Sequence, residues 1–361
     1  MEQYRHWLAL KQVTGVGNVL FKRLLERFSS PGAIFSAPPL ELASVEGLSD
    51  TAARAILSFR AFSEIDREFE KIRKAGCALV CLHDPEYPAL LAAIYDPPPL
   101  LYVKGTLPPM PHSMAVVGAR QATPYGRKVT QHLCRGLVQQ GMVIVSGFAR
   151  GIDEVAHQST LAAAGHTLAV LGCGVDRIYP PEHKQLYHDI ADRGALLSEF
   201  DLGTAPEPHH FPQRNRIISG LSLGCVVVEA AERSGALITA RHALEQGREV
   251  FAVPGPIFSP SSAGSNRLIQ SGAKLVTDTA DILNEVQYAA SQEKSEAPPP
   301  PEIPLDEAEA VLCRFLSSEP KQIDQIIGES GQTAASVSGL LLTLELKGVI
   351  EKSQGQFYVR K

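Results

Sequence analysis

Between Phe211 and Ile218 the chain reads Phe-Pro-Gln-Arg-Asn-Arg-Ile-Ile, so Arg214 and Arg216 flank Asn215. A guanidinium presents a rigid fork of donors that matches phosphate oxygens, and an asparagine amide offers both a donor and an acceptor. Phe211 sets an aromatic ring three residues from Arg214. A stacking surface beside a phosphate clamp is how proteins hold unpaired nucleic acid, each stacked base contributing about 1–3 kcal/mol. The same ring could pack beneath its own loop, since phenylalanine is often buried.

Five Gly-bearing loops, the last of them Pro254-Gly255, add to this cluster. Gly118-Ala119-Arg120 leads through Thr123 and Tyr125 into a helix. Ser146-Gly147-Phe148-Ala149-Arg150-Gly151-Ile152-Asp153 brackets a tight turn between two glycines, and Gly172-Cys173-Gly174 and Ser234-Gly235 through Thr239 follow. Glycine lets backbone amides approach an anion, Ser and Thr supply hydroxyls, and Arg120 and Arg150 bring charge. Other chemistries lack their patterns. The dinucleotide fingerprint fails at Arg177, where its third glycine belongs, and no Gly-x-x-x-x-Gly-Lys-Ser/Thr run exists. Asp153 and His157 sit four apart without a Ser or Cys nucleophile beside them, so Asp153 is expected to cap the helix opening at Gly151 and His157 to orient it. The eleven histidines show no metal-ligand spacing and the six cysteines no Cys-x-x-Cys pair, so buried thiols and no metal are expected. His209 and His210 could add donors beside the arginine cluster.

The elements that must position these loops follow from periodicity. Apolar runs at Met114–Val117, Met142–Ser146, Leu168–Leu171, Ala195–Glu199, Cys225–Glu229 and Glu249–Val253 alternate with helical stretches. Short apolar runs without alternation fit a parallel sheet covered on both faces, so residues 83–286 are expected to form an α/β, Rossmann-like doubly wound core. Ligands in such sheets bind at the carboxyl ends of the strands, where these loops would lie.

Residues 1–82 read as a helical domain. Val13-Thr14-Gly15-Val16-Gly17 and Val45-Glu46-Gly47-Leu48-Ser49 each resemble the turn of a helix-hairpin-helix. Such a turn either aims amides at a phosphate or lets two helices pack closely. Tyr87 to Lys104 reads as a proline-rich connection, and 287–304 as a linker stiffened by Pro298–Pro301. Residues 305–361 read as three helices and a short hairpin, a winged-helix pattern. Its third helix lacks Arg and Lys until Lys347, which favours a protein-contacting or structural role over reading DNA.

A net charge of −5 gives no overall basic footprint, which argues against coating duplex DNA but allows a local basic groove. The 44% apolar content is that of a soluble globular protein. No apolar run is long enough to span a membrane and Met1–Leu10 lacks the layout of a signal peptide, so a cytoplasmic location is expected.

Taken together, the motifs resemble one family. Tyr87-Pro88, Asp96-Pro97-Pro98, Val117 to Arg120, Ser146 to Asp153, Ala169 to Gly174, Tyr179-Pro180, Phe211 to Gly220, Val228-Glu229-Ala230, Ser234-Gly235, Val253-Pro254-Gly255, Gly264 to Ile269 and Gly272-Ala273 occur in the order found in the bacterial DNA-processing DprA/Smf family. Ala119 stands where many members have Ser, and Phe148 where Leu or Gly is commoner. The resemblance implies a single-stranded-DNA-binding protein of natural transformation that protects incoming strands and loads the RecA recombinase. It implies a homodimer through the Rossmann-like domain, no cofactor and no enzymatic activity. The DNA site would comprise Arg120, Ser146, Gly147, Phe148, Ala149, Arg150, Gly151, Phe211, Arg214 and Arg216. Asn215, Ser234, Gly235, Thr239 and Asn266 complete the candidate set. The alternative is an enzyme on nucleotides or nucleoside monophosphates, with Glu229 or Glu232 as its carboxylate.

Overall fold

The computed structural model describes residues 4–110, 112–293, 306–316, 321–347, 349–353 and 356–360. The chain forms two compact units, Met1–Ala289 and Ala290–Lys361. In the first, nine strands build one sheet: β1 (Ala78–Cys81), β2 (Leu100–Gly105), β3 (Ser113–Val117), β4 (Val143–Ser146), β5 (Thr167–Val170), β6 (Ala195–Ser198), β7 (Gly224–Val227), β8 (Glu249–Ala252) and β9 (Lys274–Leu275). Their order is β1-β2-β6-β5-β4-β3-β7-β8-β9. From β6 across to β9 the strands run parallel, while β2 joins β6 and β1 joins β2 antiparallel.

The six strands expected from the apolar runs are present within a residue or two. Three more were not foreseen. β2 follows directly on Pro97-Pro98-Pro99, whose turn chemistry masks Leu100 to Val103, although all four are buried. β1 lies inside the block read as helical, and β9 is two exposed residues. Strand burial on both faces explains the unalternating pattern. Along β3, Ala115 and Val117 face the helices His210–Gly220 and Gly235–Glu245. Met114 and Val116 face the helices Pro124–Gln139 and Ile152–Ala162. The fold is therefore α/β and doubly wound. From β3 the chain lays β4, β5 and β6 to one side and β7, β8 and β9 to the other, which leaves a crevice between the loops after β3 and β7.

The N-terminal helices share a core with one end of the sheet: Leu8, Phe21, Ile34 and Ile65 join Tyr102, Leu171 and Leu196. The two hairpin turns precede the helices Asn18–Phe28 and Asp50–Leu57. Gly15 has φ +89°, and a Cβ there would lie 3.2 Å from that of Ala52, so the first turn packs closely on the second helix. Ser49, in place of a second glycine, caps its helix by accepting from the Ala52 amide.

The second unit contains the helices Glu307–Cys313, Ile323–Ser330 and Ala334–Leu346, with a sheet of β10 (Lys321–Gln322), β12 (Phe357–Arg360) and β11 (Ile350–Ser353). This is a winged helix. Asp306 and Glu309 form a capping box at its first helix, and Lys347 donates to Glu309 at 2.6 Å. Of the expected linker over 287–304, residues 287–293 continue the helix Thr279–Glu293 and the rest lie outside the described residues. No helix among the described residues is long and apolar enough to cross a membrane.

His157 docks the helix Ile152–Ala162 against β5 instead of orienting Asp153. The Thr167 hydroxyl donates to the Ile144 carbonyl and so accepts from His157 Nδ1, while Nε2 is buried without a partner. Burial, with His183 and Arg214 nearby, pulls the His157 pKa down to about 3. The ring stays neutral in the fold but takes up a proton below about pH 6.5 once unfolded. Stability therefore rises with pH between about 3 and 6.5 and is lost as the medium acidifies. At pH 5 this single group should lower stability by about 2 kcal/mol relative to pH 7. Urea unfolding at both pH values should show that extra loss in the wild type and not in His157→Gln, whereas equal losses would contradict it.

Candidate nucleic-acid interface

A cavity of about 580 Å³ opens at the crevice between the loops after β3 and β7. Its floor holds two buried charges of opposite sign, Arg214 and Asp153, each bonded to the surrounding loops. Arg214, 4% exposed, donates from Nη1 to the carbonyls of Gly147 (2.6 Å) and Val170, and from Nε to Asn215 Oδ1 at 3.2 Å. Asp153 accepts from the amides of Gly147 (3.1 Å) and Ala149 (3.3 Å). It fastens the loop before its own helix rather than capping that helix. Burial drives the two groups in opposite directions, with Arg214 lowered to about 10 and the Asp153 carboxyl raised, and each opposes the other's shift. Arg214 remains charged at neutral pH. A Cβ at Gly147 would come within 2.7 Å of Asp153 Oδ2 and 2.8 Å of Arg214 Nη2, so only glycine fits above this pair.

Arg214 and Arg216 do not form one clamp. Both lie on the helix His210–Gly220, where a spacing of two residues rotates side chains by roughly 200°. Arg216 therefore emerges on the far side, paired with Glu199 and, at 3.1 Å, with Asp96, its side chain 10% exposed. Of the two guanidinium groups expected at phosphate, one is bound into the cavity floor and the other into the body of the protein.

The remaining candidates divide by position. Ala149, Phe211, Asn215, Ser234, Gly235 and Thr239 line the cavity, together with the exposed Arg120. Phe211 is half-buried, 5.8 Å from the Tyr179 ring, with the guanidinium carbons of Arg120 and Arg214 at 5.6 and 5.9 Å from its centre. The ring fits because residue 172 is glycine: a Cβ there would lie 2.8 Å from Phe211. Asn215 donates to the Gly235 carbonyl at 3.3 Å, and Ser234 caps the helix Gly235–Glu245. Ser146 is fully buried, its hydroxyl donating to the Val116 carbonyl. Phe148, at φ +59°, is buried against His183 and Tyr187 and so offers no free stacking face. Gly151, at φ +80°, sits where a Cβ would meet the Ala119 carbonyl at 2.3 Å. Arg150 pairs with Glu182 at the surface. Asn266 is engaged with both backbone groups of Gly255 and does not line the cavity.

Two cations escaped the sequence reading. Arg233 is exposed and lines the cavity immediately before Ser234. Arg127 lines a second basin of about 480 Å³ that shares Arg120 with the first. Among the described residues neither Arg120 nor Arg233 has a carboxylate partner. Arg233 could have been found by scanning the residues flanking each Gly-rich loop for charge. Of the carboxylates considered for the alternative enzyme, Glu229 accepts from the amide and hydroxyl of Thr123 and neither it nor Glu232 lines the cavity. Glu207, His209 and His210 bring their polar atoms within 4.8 Å of one another at the rim, a grouping that standard metal spacings do not cover.

Comparisons with known proteins show the family and the fold. Residues 78–287 match the family model described as DNA recombination-mediator protein A, and 296–356 match the DprA winged helix domain. Protein Smf from Synechocystis sp. is 36% identical over 397 residues, which cover 99% of this chain and 98% of that one. DNA processing protein DprA from Bacillus subtilis is 40% identical, covering 72% and 87%. The X-ray structure of DprA from Streptococcus pneumoniae superposes with a TM-score of 0.68 at 36% identity, covering 78% of this chain and 97% of that one. DNA processing protein A from Helicobacter pylori, whose structure is described for its single-stranded DNA binding mode, superposes with a TM-score of 0.53 at 29% identity and covers 59% and 96%.

Removing Arg214 takes a neighbouring positive charge from a buried carboxylate and a donor from the Gly147 and Val170 carbonyls. Arg214→Ala should lower stability by about 3–5 kcal/mol in urea unfolding. Adding Asp153→Ala should recover part of that loss, because the uncompensated charge is then gone. An unchanged midpoint for Arg214→Ala would show that the guanidinium does not hold the floor.

Proposed function

The chain belongs to the DNA recombination-mediator protein A (DprA/Smf) family, and on that footing we propose that it binds single-stranded DNA in the cavity between the loops after β3 and β7. One observation carries this reading. Two exposed arginines that have no carboxylate partner among the described residues, Arg120 and Arg233, border a cavity that also presents the Phe211 ring. Phosphates pair with Arg120 and Arg233 and with amides at the start of the helix Gly235–Glu245, while a base stacks at Phe211. Arg214 acts from below, holding the Gly147 loop and one edge of the Phe211 ring in place. Arg216 does not touch phosphate. Beyond Arg120 the strand enters the second basin, where Arg127 grips a further phosphate.

This chemistry requires no bond to be made or broken, and recognition through backbone and π-face gives little preference for base sequence. A strand held in this way is shielded from nucleases. From family membership we further propose that the protein passes the strand to RecA during transformation, acts as a homodimer through its Rossmann-like domain and works in the cytoplasm. A winged domain whose third helix carries no Arg or Lys before Lys347 fits a protein-contacting role in that transfer.

Anisotropy titrations with oligo-dT over a salt series test the site. Each phosphate that is no longer neutralised should flatten the slope of log affinity against log salt by about 0.7. Arg120→Ala with Arg233→Ala should therefore flatten it by roughly 1.4 and weaken binding to every sequence alike. Arg127→Ala should weaken long oligonucleotides while leaving short ones at wild-type affinity. If the Arg120 and Arg233 double variant matches the wild type across the whole salt range, the proposal fails.

A further inference from the structure

The N-terminal helices meet the α/β core at a three-residue loop after β6, Glu199-Phe200-Asp201, and hold it from one side. Lys11, in the helix Arg5–Gln12, pairs with Asp201, which also accepts from the Tyr102 hydroxyl at 2.8 Å. Asn18, opening the next helix, donates to Glu199 Oε2 at 3.4 Å. The other side of the same loop holds the helix that carries Phe211. Glu199 pairs with Arg216, and the Phe200 ring lies 4.2 Å from the His210 ring, centre to centre. His210 is the first residue of that helix and Phe211 the second. Arg216 Nη1 is buried with no partner among the described residues, so the anchorage of Arg216 rests on Glu199 and Asp96. Asp96 is tied to the same block, since Lys22 donates to the nearby Ile94 carbonyl at 3.4 Å.

We propose that Lys11 and Asn18 are positioning residues for nucleic-acid binding: by clamping the Glu199–Asp201 loop they fix the start of the helix His210–Gly220, and with it the plane of Phe211 at the cavity mouth. Neither residue lines the cavity. The N-terminal block thereby acts on the strand without touching it, through a loop whose one face it grips and whose other face grips the stacking helix. This role rests on the proposed stacking of a base on Phe211. Stacking depends on ring orientation, so a helix start free to tilt weakens it while leaving charge untouched. Without Lys11 and Asn18, Asp201 keeps only Tyr102 and Glu199 keeps only Arg216 among these side-chain partners, and both carboxylates gain freedom to follow solvent.

A double-mutant cycle on the full chain separates positioning from folding. Lys11→Ala with Asn18→Ala should weaken oligo-dT binding three- to ten-fold with no change in salt slope, because every phosphate keeps its cation. In a Phe211→Ala background the same pair should cost nothing further, since there is no ring left to position. Lys11→Arg with Asn18→Gln should restore most of the affinity. A general loss of fold would instead weaken binding equally in both backgrounds, and that result overturns the inference. Wild-type affinity for the Lys11 and Asn18 variant, or an altered salt slope, overturns it as well. Should Phe211→Ala itself bind like the wild type, the stacking assignment fails and this inference falls with it. Loss on Phe211→Ala alone leaves the stacking reading standing and removes only the role of Lys11 and Asn18.

Discussion

The cavity floor depends on a buried guanidinium facing a buried carboxylate. Arg214 ties together the ends of β4 and β5 through the Gly147 and Val170 carbonyls, and Asp153 returns two amides of the same loop. Backbone groups at the carboxyl ends of parallel strands have no ladder partner beyond the sheet, and buried polar groups without partners are costly. The pair satisfies several of them at once. Neither charge could stay buried alone, which is why the residues next to them, Gly147 above all, have so little room to vary.

A cation engaged in this way cannot also be the free grip on a phosphate. In the proposed binding that role falls to residues with solvent on one side, Arg120 and Arg233, whose charge no carboxylate neutralises among the described residues. The division of labour reconciles an acidic chain, net −5, with a proposed polyanion ligand. Steering by a local cluster acts within about 10 Å at ordinary ionic strength, so the bulk sign matters little at the cavity mouth. Arg216, two residues along, serves a different purpose again. Paired with Glu199 and Asp96, it welds the same helix to the part of the core that the N-terminal block embraces.

Much of this was legible in the sequence because it is local. Apolar runs of four or five residues between helical stretches revealed a buried parallel sheet, and Gly-rich loops after those runs marked the crevice. Ser49, Thr123 and Ser234 at helix starts follow ordinary capping chemistry. Ordered motifs over most of the core pointed to the family that the comparisons bear out. β2 escaped notice because three prolines precede it, and β1 because its four residues close a helical block. β2 pairs with β6, nearly a hundred residues away, and β1 in turn pairs with β2; no local pattern reports that distance.

The amino-acid order by itself determined which side chains stand on which loop, and hence that arginines, glycines and an aromatic ring would gather at one sheet edge. Only the tertiary structure decided which arginine faces water. Arg214 and Arg216 have the same chemistry and are separated by one residue. Helical rotation sends one into the floor and the other into the body, while Arg120 and Arg233, far apart in the chain, come to border the same opening. Exposure depends on what packs against each side chain, and that is a property of distant segments brought together by the fold.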